Sequence, residues 1–253
     1  MDIAQLENCL TKLKAFQQHD FQQFAINPLH CLNAIYQYLK YGIIRKDFFA
    51  EITRFYFNPP KRGENAHDKK ANELIYLLAT YSTSICQRPL KTLRLINTFN
   101  KINTEPSFAY NFFLKIAAAD KYFVLEEQNK LQDINDAVSI SYKQEEYLFT
   151  PFMKSLLYGL KIKNAIINTD YSTINGYMNC LTQVSDESGN KLSKLLIYFT
   201  VLNSEQLMNL DPQLYKQVSY NLTKLLRECG LNPDIFVKQN KQEALAVKVK
   251  VNH

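Results

Sequence analysis

The chain has 253 residues, of which 46% are hydrophobic and 21% are charged, with a net charge of +6 and a pI near 8.9. This hydrophobic content is ample for a packed core and predicts a folded globular protein. No window approaches the ~18 consecutive apolar residues of a membrane-spanning helix. The lysines are scattered and no basic-aromatic ladder accompanies them, so nucleic-acid binding is not predicted. A solvated surface, an acidic partner and an anionic membrane all remain open interpretations of the positive charge.

The cysteines indicate a reducing compartment. Five are present, an odd number, and none forms a C-x-x-C pair. No secretory apolar segment accompanies them, so a cytoplasmic location is predicted. An export signal of the bacterial effector type would escape this test, and it would place the protein in the cytoplasm of a host cell.

Four segments near the amino terminus carry apolar residues at the three- and four-residue spacing of amphipathic helices. The predicted helices cover residues 3–18, 28–42, 46–57 and 69–86. A cap and a proline at Asn27-Pro28 begin the second helix, and Asn58-Pro59-Pro60 ends the third. Residues 61–70 are predicted to form an exposed polar loop. Segment 1–86 is therefore predicted to be a small helical bundle.

The middle of the chain is also helical in pattern. PLKTLRLINTFNKI begins at Pro89, and the very apolar FAYNFFLKIAAA follows the TEPS turn from Phe108. A shorter helix is predicted through residues 123–131, followed by an irregular connection through Ser139 and Ser141.

The stretch EEYLFTPFMKSLLYGL, residues 145–160, contains the clearest helix start. Thr150 is predicted to cap a helix over about 151–163, with Pro151 at the first helical position. Phe152, Leu156 and Leu160 recur every four residues along it. Tyr147 lies three residues before the cap, where it has no capping role.

Residues 170–231 predict three more helices, of which 191–202 and a helix ended by Gly230 are the clearest. The tail ALAVKVKV alternates in hydropathy and suits either a strand or a disordered end. The fold class is therefore predicted to be all-α.

No pattern for bond-making chemistry is visible. The four histidines are dispersed, and none pairs with a carboxylate or cysteine at metal-ligand spacing. With six glycines in the chain there is no phosphate-binding loop, no dinucleotide fingerprint and no nucleophile elbow. The sequence thus predicts no metal and no cofactor, and it favours a binding or conformational function.

Residues 89–160 resemble the core of the vacuolar protein sorting 9 domain family, which catalyses guanine-nucleotide exchange on early-endosomal Rab GTPases. PLKTLRLINTFNKI is similar to the helix that opens that core. SFAYNFFLKIAA is similar to the apolar helix after the family's acidic finger. The Y-x-F-T of EEYLFTPF is similar to the family's tyrosine-threonine motif. The family also has a helical bundle in front of its core.

The resemblance implies three segments: a bundle at 1–86, an exchange-factor core at 87–165 and additional helices at 166–253. The bundle would pack on the core. It further implies that Tyr147 and Thr150 engage the switch region of a Rab-family small GTPase beside an apolar groove. The ungapped match to the finger is Ser107, so the finger's role passes to Glu105, two residues earlier. In such a mechanism a carboxylate competes with the nucleotide phosphates and disfavours magnesium.

Each residue also has an interpretation that needs no partner. Glu105 is then an acid in the first turn of a helix, Tyr147 a half-buried aromatic, and Thr150 a helix cap. Two rival functions remain open: a non-catalytic helical adaptor for a protein partner or an acidic membrane surface, and an enzyme whose site assembles from scattered residues. Peripheral membrane association is compatible with the exchange-factor function and with the adaptor function.

Overall fold

The computed structural model describes residues 3–16, 28–44, 46–50, 66–86, 88–102, 105–189, 191–202, 208, 211–231 and 233. This part of the chain is all-α, as predicted, and the described residues contain no strand. Its principal helices are α1 (Ile3–Phe16), α2 (Pro28–Tyr41), α3 (Ala66–Ile85), α4 (Pro89–Ile102), α5 (Phe108–Val124), α6 (Gln128–Gln144), α7 (Pro151–Ile167), α8 (Ile174–Ser188), α9 (Lys191–Leu202) and α10 (Pro212–Glu228). Single 3-10 turns cover Glu146–Leu148 and Tyr171–Thr173.

The chain divides into two compact units. The amino-terminal unit comprises Ala4–Tyr38 and Ile43–Ser141. The carboxy-terminal unit comprises Met1–Ile3, Leu39–Gly42 and Tyr142–His253. The three-segment division at 1–86, 87–165 and 166–253 stays a prediction.

An aromatic stack forms the core of the amino-terminal unit where α3, α4 and α5 pack against one another. The ring of Phe99 lies 4.2 Å from that of Tyr76 and 4.5 Å from that of Tyr110, centroid to centroid. All three rings are buried. One residue from each helix thus meets at a shared contact, which fixes the start of α5 relative to α3 and α4.

In the carboxy-terminal unit α8 packs along α7, and α9 packs against α7, α8 and α10. Gly159 of α7 lies directly against α9. A Cβ atom at this position would lie 2.5 Å from Cδ1 and 2.7 Å from Cγ1 of Ile197 on α9. The small residue therefore determines how near the two helices lie.

The predicted irregular connection through Ser139 and Ser141 is wrong, since both residues lie inside α6. The Ser141 hydroxyl donates to the carbonyl of Ala137 within the helix, which satisfies it without breaking the turn. The chain breaks earlier, at Glu126, whose φ of 58° is left-handed. Because this residue is not a glycine, the usual sequence signal for a helix end is missing. The predicted helix through residues 123–131 therefore joined the end of α5 to the start of α6.

The predicted helix 46–57 is described only over 46–50, where it is helical. Residues 61–65 of the predicted loop 61–70 lie outside the described residues, and the remainder of the prediction is wrong, because α3 already begins at Ala66. The carboxy-terminal tail 244–251 lies outside the described residues. Among the helices that are described, none combines the length and apolar character needed to cross a bilayer.

Candidate partner-binding site before helix α7

The start of α7 is built as the sequence predicts. Thr150 is extended at φ −65° and ψ 160°, and its hydroxyl accepts a hydrogen bond of 3.3 Å from the amide of Met153. Pro151 follows at the first helical position, where no amide hydrogen is needed. Capping is thus the confirmed role of Thr150, and the side chain also remains exposed to solvent.

A 3-10 turn carries Tyr147 between α6 and α7. The amides of Leu148 and Phe149 donate to the carbonyls of Glu145 and Glu146 at 2.9 and 3.0 Å. Phe149 then enters the core of the unit, where its ring meets that of Tyr142 edge-on at 5.1 Å. The buried phenylalanine therefore anchors one end of the turn.

A polar contact holds the other side of the turn. Oε1 of Glu146 accepts from the hydroxyl of Tyr142 at 2.9 Å and from Nζ of Lys154 at 3.0 Å. We call these three residues the Glu146 brace. The hydrogen bond from Lys154, followed by that from Tyr142, holds the pKa of Glu146 below its ordinary value. The carboxylate is therefore ionised near neutral pH and ties α6 and α7 to the turn between them.

Tyr147 itself points into solvent, with 84% of its surface exposed. The interpretation of this residue as a half-buried aromatic is therefore wrong. The neighbouring Leu148 is 37% exposed, so an aromatic and an aliphatic side chain are presented together. A large amphipathic side chain on a fixed backbone has the character of residues that dominate protein interfaces, because little conformational freedom is lost on binding.

Glu105 lies in the amino-terminal unit, exposed on a bend two residues before Ser107. Ser107, where an ungapped alignment places the finger, is the N-cap of α5, and α5 has no acid in its first turn. The interpretation of Glu105 as a first-turn acid is thus wrong. The acid at this helix start is Glu73 of α3, only 6% exposed, which accepts from the amide and hydroxyl of Ser107 at 3.0 and 2.8 Å.

The predicted site residues thus divide between the two units. Tyr147 and Thr150 lie together before α7, and Glu105 belongs to the other unit. A site that joins all three stays a prediction. The residues that sequence reasoning missed are Tyr142, Lys154 and the supporting role of Glu146. The four-residue spacing from Tyr142 to Glu146 was the available signal, because such pairs face one another at the end of a helix.

No protein family, curated protein or solved structure matches this chain. The residues of the site therefore have to be interpreted from their own geometry. Within the described part of the chain, no three or more His, Cys, Asp or Glu side chains converge as they would around a metal ion.

Proposed function

We propose that this protein is a guanine-nucleotide exchange factor for a Rab-family small GTPase of the early-endosomal type. The observation that carries the proposal is Tyr147, exposed over 84% of its surface on a turn held at both ends. The similarity of its Y-x-F-T context to the vacuolar protein sorting 9 domain supplies the partner class. An exposed tyrosine that is held in place suits a contact to the switch region of a folded GTPase.

Each proposed residue has a distinct physical role. Tyr147 provides apolar contact area and a hydroxyl that forms hydrogen bonds with the partner. Thr150 keeps one hydroxyl lone pair on the Met153 amide, and its donor proton remains for the partner. Glu105 is the acidic finger, whose exposure lets it reach the nucleotide site.

Exchange needs no bond to be made or broken. A carboxylate placed at the phosphate site competes for the lysine that binds the phosphates, repels the nucleotide and disfavours its magnesium. The exchange factor accelerates GDP release by binding the nucleotide-free state more tightly than the loaded state. We propose that this occurs at the cytoplasmic side of a membrane, in a host cell if the protein is a bacterial effector, without any cofactor of its own.

The test is release of fluorescent GDP from a panel of purified Rab proteins, with and without this protein. Acceleration is expected for at least one member. Tyr147→Ala is expected to reduce it about thirtyfold, which corresponds to the ~2 kcal/mol of a typical interface hot spot. Tyr41→Ala is the matched control, because Tyr41 is 47% exposed in the same unit but distant in sequence.

The finger is tested separately with Glu105→Ala, and Asp133→Ala provides an exposed acid in the same unit as its control. Loss of exchange with retained Rab binding is expected for Glu105→Ala alone. Exchange that survives this substitution removes the finger assignment. No acceleration for any Rab overturns the proposed function.

A specific observation favours one other function, that of a non-catalytic adaptor. Ser107 lies where the resembled family has its acid. The carboxylate that contacts Ser107, that of Glu73, is buried and accepts a hydrogen bond from the Ser107 hydroxyl. A protein that docks through Tyr147 without a finger would bind its partner and leave nucleotide release unchanged. Binding that Tyr147→Ala abolishes, together with no exchange activity, identifies this case.

A further inference from the structure

Helix α10 separates its apolar and polar residues more completely than the helices around it. The side chains of Leu214, Val218, Leu222, Leu225 and Leu226 are buried. The helix begins at a firm cap, where Asp211 accepts from the amide of Leu214 at 2.9 Å. With its apolar side inside the carboxy-terminal unit, α10 presents only its polar side outward.

The outward side carries a concentration of positive charge. Two rows at four-residue spacing run along it, and we call these six residues the α10 cationic face: Lys216, Tyr220 and Lys224, with Ser219, Thr223 and Arg227 beside them. The first and last cations lie about 16 Å apart at 1.5 Å per residue. Together with Tyr215 and Glu228, these six residues line an open depression on this side of the helix.

The three cations of this face are exposed, and none forms an ion pair or a side-chain hydrogen bond with another described residue. The neighbouring acid, Glu228, is already paired with Lys191 at 3.1 Å. The face therefore presents about three positive charges that nothing in the described part of the chain neutralises. Charge complementarity therefore favours an anionic partner for this face.

Tyr220, in the middle of the face, is 71% exposed. Tyrosine prefers the boundary between lipid headgroups and water, where its ring is partly desolvated and its hydroxyl remains hydrated. Two of the three cations are lysines, which act as mobile point charges instead of the planar forks that match fixed carboxylates. This combination suits a fluid layer of lipid phosphates better than an acidic protein segment.

We propose that the α10 cationic face docks the protein on an anionic lipid membrane. The contact is peripheral, because the apolar side of the helix is committed to the core and nothing on the outward side can insert deeply. The lysines and arginine attract the lipid phosphates, and Tyr220 lies at headgroup depth. This function is independent of the proposed nucleotide exchange.

The experiment is sedimentation of the full chain with vesicles of phosphatidylcholine alone or with about 30 mol % phosphatidylserine. Binding is expected only to the anionic vesicles and is expected to be lost at about 0.5 M salt. The triple variant Lys216→Gln/Lys224→Gln/Arg227→Gln is expected to weaken partitioning on the order of a hundredfold, at about fivefold for each cation. Tyr220→Ala is expected to weaken it several-fold.

The matched control is Lys12→Gln/Lys101→Gln/Lys143→Gln, which removes the same charge from exposed positions elsewhere. It is expected to retain nearly all of the binding. Equal loss in both triple variants overturns the proposal, since net charge alone would then explain the attraction. The proposal is also overturned if wild-type protein ignores anionic vesicles, including the case in which it binds a polyglutamate peptide instead. Circular dichroism and thermal unfolding verify that both variants fold.

Discussion

At the scale of single residues, Ser107 and Glu73 show that the carboxylate at the start of α5 comes from a distant part of the sequence. In the sequence, Ser107 is a neutral residue at the position of an expected acid. In the structure its amide and hydroxyl are bound by a carboxylate from 34 residues earlier. The start of α5 is therefore satisfied by tertiary contact, which leaves Glu105 without a capping function. An exposed acid that forms no ion pair or side-chain hydrogen bond with another described residue is available for a partner.

Buried hydroxyls near this helix start allow a stability prediction. Tyr110 is 1% exposed, and its hydroxyl has no hydrogen-bond partner among the residues that the structure describes. Burial, followed by the charge of Glu73, raises its pKa. We expect Tyr110→Phe to leave the free energy of unfolding unchanged or to raise it by up to about 1 kcal/mol, because an unsatisfied polar group is removed. Urea denaturation measures the change.

Thr92→Val is the contrasting control for this prediction. The Thr92 hydroxyl is buried, and its single proton is shared between Thr83 Oγ1 at 2.9 Å and the carbonyl oxygen of Arg88 at 3.0 Å. Its removal is expected to lower the stability by about 1 kcal/mol. A larger loss for Tyr110→Phe than for Thr92→Val would show that the tyrosine hydroxyl is satisfied, contrary to the structure.

At the scale of elements, the contact of α7 with α9 depends on one missing methyl group. We expect Gly159→Ala to destabilise the protein by about 1–2 kcal/mol, because overpacking against Ile197 outweighs the gain in helix propensity. Thermal and urea unfolding measure the effect. The matched substitution is Gly176→Ala in α8, where a Cβ atom would meet nothing within 4 Å. That change is expected to stabilise by up to about 1 kcal/mol.

The cause is tested by adding Ile197→Ala, which removes both the Cδ1 and the Cγ1 atoms that a new Cβ would strike. The double variant should recover part of the loss, so the two substitutions should not be additive. If the two changes in unfolding free energy are purely additive, the loss caused by Gly159→Ala does not arise from contact with Ile197.

The Glu146 brace predicts a pH response of the turn that carries Tyr147. Because the folded pKa of Glu146 is lowered, its contribution is complete above the ordinary value of 4.5 and is lost as the pH falls through the lower folded value. The chain has no tryptophan, so Tyr147→Trp gives a single fluorescent reporter. Its anisotropy is expected to fall on acidification as the turn loosens.

Lys154→Gln removes the largest cause of the lowered pKa of Glu146. In the reporter background this substitution is expected to move the acid midpoint upward, toward 4.5. Lys161→Gln, also on α7, should leave the midpoint in place. A midpoint that is the same with and without Lys154 would contradict the brace.

At the scale of the whole molecule, the chain has two compact units, and each contains its own buried apolar residues. Local opening follows such cooperative units. We expect Gly159→Ala to raise amide hydrogen exchange in α7 and α9, by about fivefold for each 1 kcal/mol lost, with little change in α3–α5. An equal rise in both units, measured by mass spectrometry, would instead indicate a single cooperative structure.

The sequence by itself determined the fold class and most helix boundaries. The apolar spacing of Phe152, Leu156 and Leu160, the Thr150-Pro151 start and the stop at Gly230 act within about one helical turn, so they are readable locally. The break at Glu126 was missed because a left-handed residue that is not glycine leaves no compositional sign.

Only the tertiary structure decided which side chains are buried and which face water. The burial of Glu73 against Ser107 and the fit of Gly159 against Ile197 depend on segments that are distant in sequence. The exposure of Tyr147 follows from a turn whose contacts come from residues 142–154, but the sequence does not show it. The capping role of Thr150 was predicted because its partner, the amide of Met153, lies three residues away, whereas the hydrogen bonds from Ser107 to Glu73 were not. Local hydrogen bonds set where helices begin and end, and long-range packing sets which side chains are left for a partner.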